Sequence, residues 1–367
     1  GFRSKLSAGS LAFTTMGKLL NDTSRGVRAA ACRYLVLPKD VDPALLVQAL
    51  SKKVTAKVIE GKSLDDPSMA LGGPDGLDSM AGALVFGLED EFREVRMATI
   101  DTICELSGQS QDFANTAVHY LIDMMNDEVP EVRHNATTSL MKLTDLFEVD
   151  FGQLQIILGN LHNKSLRMRN AVHALLSAAR LGNVRCLEAA VHALLSNLQA
   201  NPGDFVLVAK TMGRLGANHP VFAECLIDSM LYRTDREAPL QPEPRVDDIF
   251  YVCKMVLYLN AVAHNEILLA LLPPWAPSHN AVLRQKYPGL VPENEIVDVG
   301  RGIYTLNRAA SVASTSGRKG APHAPWVAAG IAATEGILAS LERLKAAAPA
   351  ARTAQIAARL KILNNLS

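Results

Sequence analysis

The sequence predicts an all-α fold, an α-solenoid of stacked antiparallel helix pairs that ends in a C-terminal helical hairpin. Three observations lead there. Four helix starts carrying Arg recur at 21–28, 89–96, 126–133 and 162–169, placing Arg28, Arg96, Arg133 and Arg169 in equivalent positions. Arg96, Arg133 and Arg169 are 37 and 36 residues apart, and Arg28 precedes Arg96 by 68, nearly two periods. A fixed period in this range marks helix pairs stacked side by side. Second, each start follows one apolar helical stretch and opens another. Third, 49% of the 367 residues are hydrophobic but only 5% are aromatic; Leu, Ala, Val and Met suit helix-on-helix packing better than sheets.

Taken in order, residues 8–20 and 25–37 read as the first helix pair. Pro38 ends it, because proline lacks the amide donor and clashes with the preceding turn. Residues 43–60 read as a third helix with Leu45, Leu46, Ala49, Leu50 and Val54 on one face. The Gly-, Pro- and Asp-rich stretch 61–78 reads as an inserted loop, which accounts for the doubled first gap. Helix pairs follow at 79–88 with 93–107, 111–126 with 129–147, 151–161 with 165–180, 184–200 with 204–215, and 219–232 with 247–263. Pro130 falls in a first helical turn, where a missing amide donor costs nothing. Asp127 is the expected N-cap there, worth about 1 kcal/mol. Prolines divide 264–308 into short helices, 309–326 reads as a flexible linker, and 327–346 with 350–366 form the C-terminal hairpin. The organisation expected is therefore N-terminal repeats at 1–60, the loop at 61–78, the main solenoid at 79–308, the linker at 309–326 and the hairpin at 327–367.

Composition narrows the function classes. Lys and Arg number 37, as do Asp and Glu, so the formal charge is zero. Nucleic-acid binding over the whole surface needs a basic excess that this chain lacks. The five cysteines are scattered through apolar helical stretches with no Cys-x-x-Cys spacing, which reads as buried free thiols in a reducing compartment. No secretory signal opens the chain, and no uncharged apolar run reaches spanning length. The first residue is Gly rather than Met, which reads as a start inside a longer protein.

The residues that could carry chemistry are few. The apolar residue at 27, 95, 132 and 168 is expected to face the core between repeats. The next residue in each case, Arg28, Arg96, Arg133 or Arg169, then runs along the stack beside acidic turn residues such as Asp90 and Asp127. This is a charged ladder fixing repeat register, with a phosphate-binding strip as the functional alternative. That alternative is strongest at Lys164, Arg167 and Arg169, where the turn has no acid, and these three are the candidate RNA contacts. None of the nine histidines precedes a Glu, as the metal-binding pairs of repeat-built hydroxylases would require. His173 and His192 lie in two copies of AVHALLS and are expected to be half-exposed. No Gly-x-Ser-x-Gly and no phosphate loop occurs. The expectation is no catalytic residue, no cofactor and no metal, so no enzyme.

The segment GALVFGLEDEFREVR at 82–96 closely resembles the Integrator complex subunit 4 family, whose plant member is SIEL. LIDMMNDEVPEVR at 121–133, GRLGANHP at 213–220 and EPRVDDIFY at 243–251 fit the same family in register. The likeness runs from about residue 13 to about 290, and weakly into the tail. It implies HEAT repeats, a nuclear location and a non-catalytic scaffold role. In that family the scaffold holds the RNA endonuclease module made with Integrator subunits 9 and 11, which processes small nuclear RNA 3′ ends and cleaves RNA polymerase II transcripts. The zinc chemistry belongs to subunit 11. Family members extend further at the C-terminal end, so the chain reads as a fragment. The competing class is a HEAT-repeat adaptor in nuclear transport or trafficking.

Overall fold

The computed structural model describes residues 7–52, 80–231, 244–265, 268, 271–273 and 275–292. The loop at 61–78, the linker at 309–326 and the hairpin at 327–367 lie outside the described residues. Apart from a lone bridge between Val149 and Leu181, the regular structure described is helical. Two compact units divide the chain, 1–182 and 183–367.

In the first unit the helices are α1 (Ala8–Lys18), α2 (Arg25–Tyr34), α3 (Pro43–Ala49), α4 (Ala83–Leu88), α5 (Arg93–Leu106), α6 (Gln111–Asp123), α7 (Pro130–Lys142), α8 (Phe151–Gly159) and α9 (Leu166–Ala178). Helices α2, α5, α7 and α9 stack in chain order, and α3, α6 and α8 line up beside them. This is the solenoid arrangement, in which each repeat buries its apolar faces on its neighbours. Phe13, Cys32, Leu84, Ile100, Ile103, Phe113, Leu121, Leu140, Leu154 and Leu175 fill the space between the rows.

Side-chain caps start these helices. Ser7, Asp42, Ser110 and Asp150 accept from amides of the first turn of α1, α3, α6 and α8. Asp150 and Gln153 bond each other's backbone amides reciprocally, a capping box. Gly82, at φ +67°, starts α4 in a backbone region that side chains disfavour. Helices α1, α6 and α8 tighten at their ends into 3₁₀ turns, at Leu19–Asn21, Met124–Asn126 and Asn160–His162.

Three local expectations are corrected. The helix placed at 43–60 stops at Ala49, with a turn at Leu50. The helix placed at 129–147 stops at Lys142 and gives way to turns. The N-cap of α7 is Val129, not Asp127. The Asp127 carboxylate accepts the Val129 amide at 2.8 Å two residues earlier, forming an Asx turn that feeds the helix.

The second unit holds α10 (Val184–Ala200), α11 (Phe205–Asn218), α12 (Pro220–Leu231), α13 (Ile249–Val262) and α14 (Ala276–Lys286). Helix α13 is buried almost all round, with Val252, Cys253, Met255, Val256, Leu257, Tyr258 and Leu259 inside. A helix apolar on every face belongs at the centre of its unit. It packs against α11, α12 and α14. Its approach to α11 is close because α11 offers Gly213 and Gly216 there; a Cβ at Gly216 would run into the Leu257 carbonyl oxygen. Helix α14 is pinned to it through Tyr251, whose hydroxyl lies 2.7 Å from His279 Nδ1 and accepts from Trp275 Nε1 at 3.1 Å.

Candidate functional site

The four Arg-bearing turns share one construction. In each, an Asp or Asn accepts the backbone amide two residues on: Asp22 from Ser24 at 2.8 Å, Asp90 from Phe92 at 2.9 Å, Asp127 from Val129 at 2.8 Å and Asn163 from Ser165 at 2.9 Å. Asx turns of this kind leave two carbonyls facing the start of the following helix. The Arg six residues after each Asx position caps them through Nη1. Arg28 donates to the carbonyls of Asp22 and Thr23 at 2.9 and 3.2 Å, and Arg96 to those of Asp90 and Glu91 at 2.7 and 3.4 Å. Arg133 donates to Asp127 and Glu128 at 2.7 and 3.0 Å, and Arg169 to Asn163 and Lys164 at 3.0 and 3.2 Å.

The other edge of the guanidinium reaches the next turn. Arg28 grips Asp90 with both Nε and Nη2, at 2.6 and 3.0 Å. Arg96 grips Asp127 in the same sense. Its Nη2 donates at 3.1 Å, while its Nε lies 2.9 Å from the second oxygen as an ion pair, off the N–H axis. Both side chains of the second pair are only 8% exposed. A planar fork on a carboxylate gives two parallel contacts and fixes orientation, which a point charge cannot do. Burial pushes the Asp90 carboxyl upward, but the Arg28 fork, the Phe92 amide and the Arg96 charge outweigh it, and the carboxyl titrates below its ordinary value.

The register residues sit beneath these rungs. Val95, Val132 and Met168 are buried between repeats, whereas Val27 is 37% exposed. The expectation for Val27 is corrected: on its outer side no helix pair is stacked among the described residues of the first unit. With Leu19 and Tyr34 it borders an apolar surface there. Between repeats, the Thr102 hydroxyl donates to the Cys32 carbonyl at 2.7 Å, and Asn135 Nδ2 donates to the Met97 carbonyl at 3.2 Å.

The three candidate RNA contacts separate by burial. Lys164 and Arg167 are exposed. Arg169 is 8% exposed, with its Nη1 held by two carbonyls. Burial and the nearby Arg167 charge together hold His134 below the ordinary histidine range. His173 is 1% exposed rather than half-exposed, because it faces inward from α9; His192 on α10 is exposed.

Elsewhere the first unit has a polar recess of about 410 Å³ lined by Asn115, His119, Glu148, Asp150, Gln153 and Arg180. There Arg180 pairs with Glu148 at 3.1 Å and Gln153 lies 3.1 Å from His119 Nδ1. Among the described residues no three His, Cys, Asp or Glu side chains converge as a metal-binding group. Among the same residues no helix is long and apolar enough to cross a membrane.

Comparison with known proteins adds the family context. No family model matches the chain. Over 213 residues it is 40% identical to the Integrator complex subunit 4 homolog of Dictyostelium discoideum, covering 58% of this chain and 17% of that protein. Over 305 residues it is 30% identical to Integrator complex subunit 4 of Xenopus laevis, covering 77% and 31%. Over 307 residues it is 24% identical to Protein SIEL of Arabidopsis thaliana, covering 83% and 32%. Its curated homologues are thus Integrator complex subunit 4 from several species together with SIEL. The chain spans between 17% and 32% of the length of these curated relatives. Among solved structures, a designed armadillo repeat protein aligns at a TM-score of 0.34 and 16% identity, covering 67% of this chain and 99% of its own. A likeness that loose says nothing about function.

Proposed function

We propose that this chain is the helical-repeat part of an Integrator complex subunit and acts there as a non-catalytic scaffold. On this reading it works in the nucleus and supports the RNA endonuclease module, with Integrator subunits 9 and 11 as its partners, in small nuclear RNA 3′-end processing and RNA polymerase II transcript cleavage. The observation that carries the reading is the 40% identity over 213 residues to an Integrator complex subunit 4 homolog. The physical construction agrees with it. In the first unit, helix pairs stack on one another and are tied by ion pairs between successive turns, and repeat arrays of this kind serve as platforms for other proteins.

A tagged pull-down from nuclear extract tests this, run with this chain and with a full-length relative and read by mass spectrometry. Recovery of Integrator subunits 9 and 11 with this chain supports a nuclease-module surface in the helical repeats. Their recovery with the full-length relative alone removes that surface from this chain. Transport or coat proteins in both, without Integrator subunits, overturn the reading in favour of an adaptor.

A further inference from the structure

The ladder has a rung without its carboxylate. In the two complete rungs an Arg uses Nη1 for the carbonyls of its own turn and turns Nε and Nη2 toward an Asp of the next turn. Arg133 repeats the first half of this, with Nη1 on the Asp127 and Glu128 carbonyls. The next turn, however, offers Asn163 where the earlier turns offer Asp90 and Asp127. Its Oδ1 accepts the Ser165 amide; in the complete rungs the equivalent Oδ1 accepts both the turn amide and the Arg Nη2, but among the described residues Arg133 makes no such bond to Asn163. The atom left at the place of the second carboxylate oxygen is Nδ2, a donor. The Nε and Nη2 of Arg133 and the Nδ2 of Asn163 therefore have no acceptor among the described residues. Arg133 and Asn163 are half-buried, and the exposed Lys164 and Arg167 belong to the same turn and the helix it starts. By the spacing of the complete rungs these donors face one another across successive turns, and an Arg fork with two unused donors and no carboxylate opposite it is a site for an anion.

We propose that this rung is completed in trans: the side-chain carboxylate of an Asp or Glu on a partner protein docks on the Arg133 fork beside Asn163. The two complete rungs favour a carboxylate. In each of them the same fork, set by the same two carbonyls, closes on a planar two-oxygen group, and the repeat presents that geometry again. The zero net charge of the chain provides no broad basic field of the kind that holds a nucleic-acid backbone. The site is independent of the Integrator reading, since it rests on the rungs alone.

The test uses the whole chain and a fluorescein-labelled peptide rich in Asp and Glu, read by fluorescence polarisation at low salt. Asn163→Asp restores the missing carboxylate in cis. It is expected to weaken peptide binding by about tenfold or more while raising the thermal midpoint. Arg133→Gln is expected to weaken binding to a similar degree. Because Asn163→Asp adds the residue found in the complete rungs, it stays informative even where Arg133→Gln folds poorly. Absence of peptide binding to the unmodified chain overturns the proposal. So does peptide binding that Asn163→Asp leaves unchanged. A single-stranded RNA that binds more tightly than the peptide, and is lost in the same variants, overturns it in favour of a phosphate ligand.

Discussion

Removing Arg96 tests whether the buried ion pairs hold the repeats together. Arg96 is 6% exposed. Its guanidinium joins four groups: the Asp90 and Glu91 carbonyls at 2.7 and 3.4 Å, the Asp127 carboxylate at 2.9 and 3.1 Å, and, more weakly, the exposed Glu128 at 3.7 Å. The Glu128 contact adds little, since exposed pairs contribute under about 1 kcal/mol. Arg96→Ala leaves the Asp127 carboxylate, 8% exposed, without its countercharge. One-sided loss of a buried pair costs about 3–5 kcal/mol. For a unit of this size that lowers the thermal midpoint by roughly 10 °C. Asp127→Asn should cost less, about 2 kcal/mol, because the amide oxygen can still accept the Val129 amide while the charge-assisted bonds are lost. The assay is urea and thermal unfolding followed by far-ultraviolet circular dichroism on Arg96→Ala, Asp127→Ala and the double variant. The double-mutant cycle should give a coupling of at least about 1.5 kcal/mol. If Arg96→Ala unfolds within about 0.5 kcal/mol of the unmodified chain and the coupling is near zero, the rungs are surface ornaments and register is set by apolar packing alone.

Three further predictions use other parts of the molecule. Gly216→Ala should destabilise by about 3 kcal/mol or more, because the Leu257 carbonyl occupies the space of its Cβ, while Gly159→Ala, with nothing within 4 Å, should be neutral or slightly stabilising; chemical denaturation compares them, and equal effects would contradict the close α11–α13 approach. In a native thiol titration Cys225, which is exposed, should react promptly, whereas Cys32, Cys104, Cys186 and Cys253 are buried and should be protected; burial pushes Cys253 up to about 12, and rapid labelling of all five would mean the core is open. The Asp90 carboxyl titrates below its ordinary value in the folded chain, so its stabilisation is complete above the unfolded value near about 3.9 and is lost as pH falls through the folded one; the stability gap to Asp90→Asn should hold steady from neutral to mildly acidic pH and narrow only in stronger acid, and a gap that widens on acidification would reverse the sign.

Much of this was legible because repeats write the same physics more than once. The 37- and 36-residue spacing of Arg96, Arg133 and Arg169 located three helix starts, and Val95, Val132 and Met168 fall inside as their spacing implies. The element ends were harder to read. Neither Pro nor Gly follows Ala49 or Lys142 within the next three residues, so the local sequence carries little signature of either end. Val27 was misread because sequence equivalence assumes a neighbour on both sides. The partner of each Arg was also only half visible. Asp90 and Asp127 stand out as acids, but the feature common to all four turns is an Asp or Asn six residues before the Arg, at 22, 90, 127 and 163. That spacing was there to be found, and it identifies Asn163 as a member of the series.

The distinction between Asp and Asn at that position separates structure from recognition within one motif. Both residues close the Asx turn, since only one oxygen is needed for the amide two residues on. In the complete rungs that oxygen also accepts Nη2 of the preceding Arg, and only Asp adds the negative charge and the second oxygen that Nε faces. A turn with Asp is thus sealed: its fork is saturated, buried and unable to bind anything further, and its energy goes into holding one repeat against the next. A turn with Asn folds the same way but leaves the preceding fork open at little cost to the backbone. The cost falls on stability, because Arg133 keeps its two carbonyl bonds but forgoes the ion pair that Arg28 and Arg96 make. Asn163→Asp should therefore give a more stable chain than the natural one, and the size of that gain measures how much stability the open rung gives up.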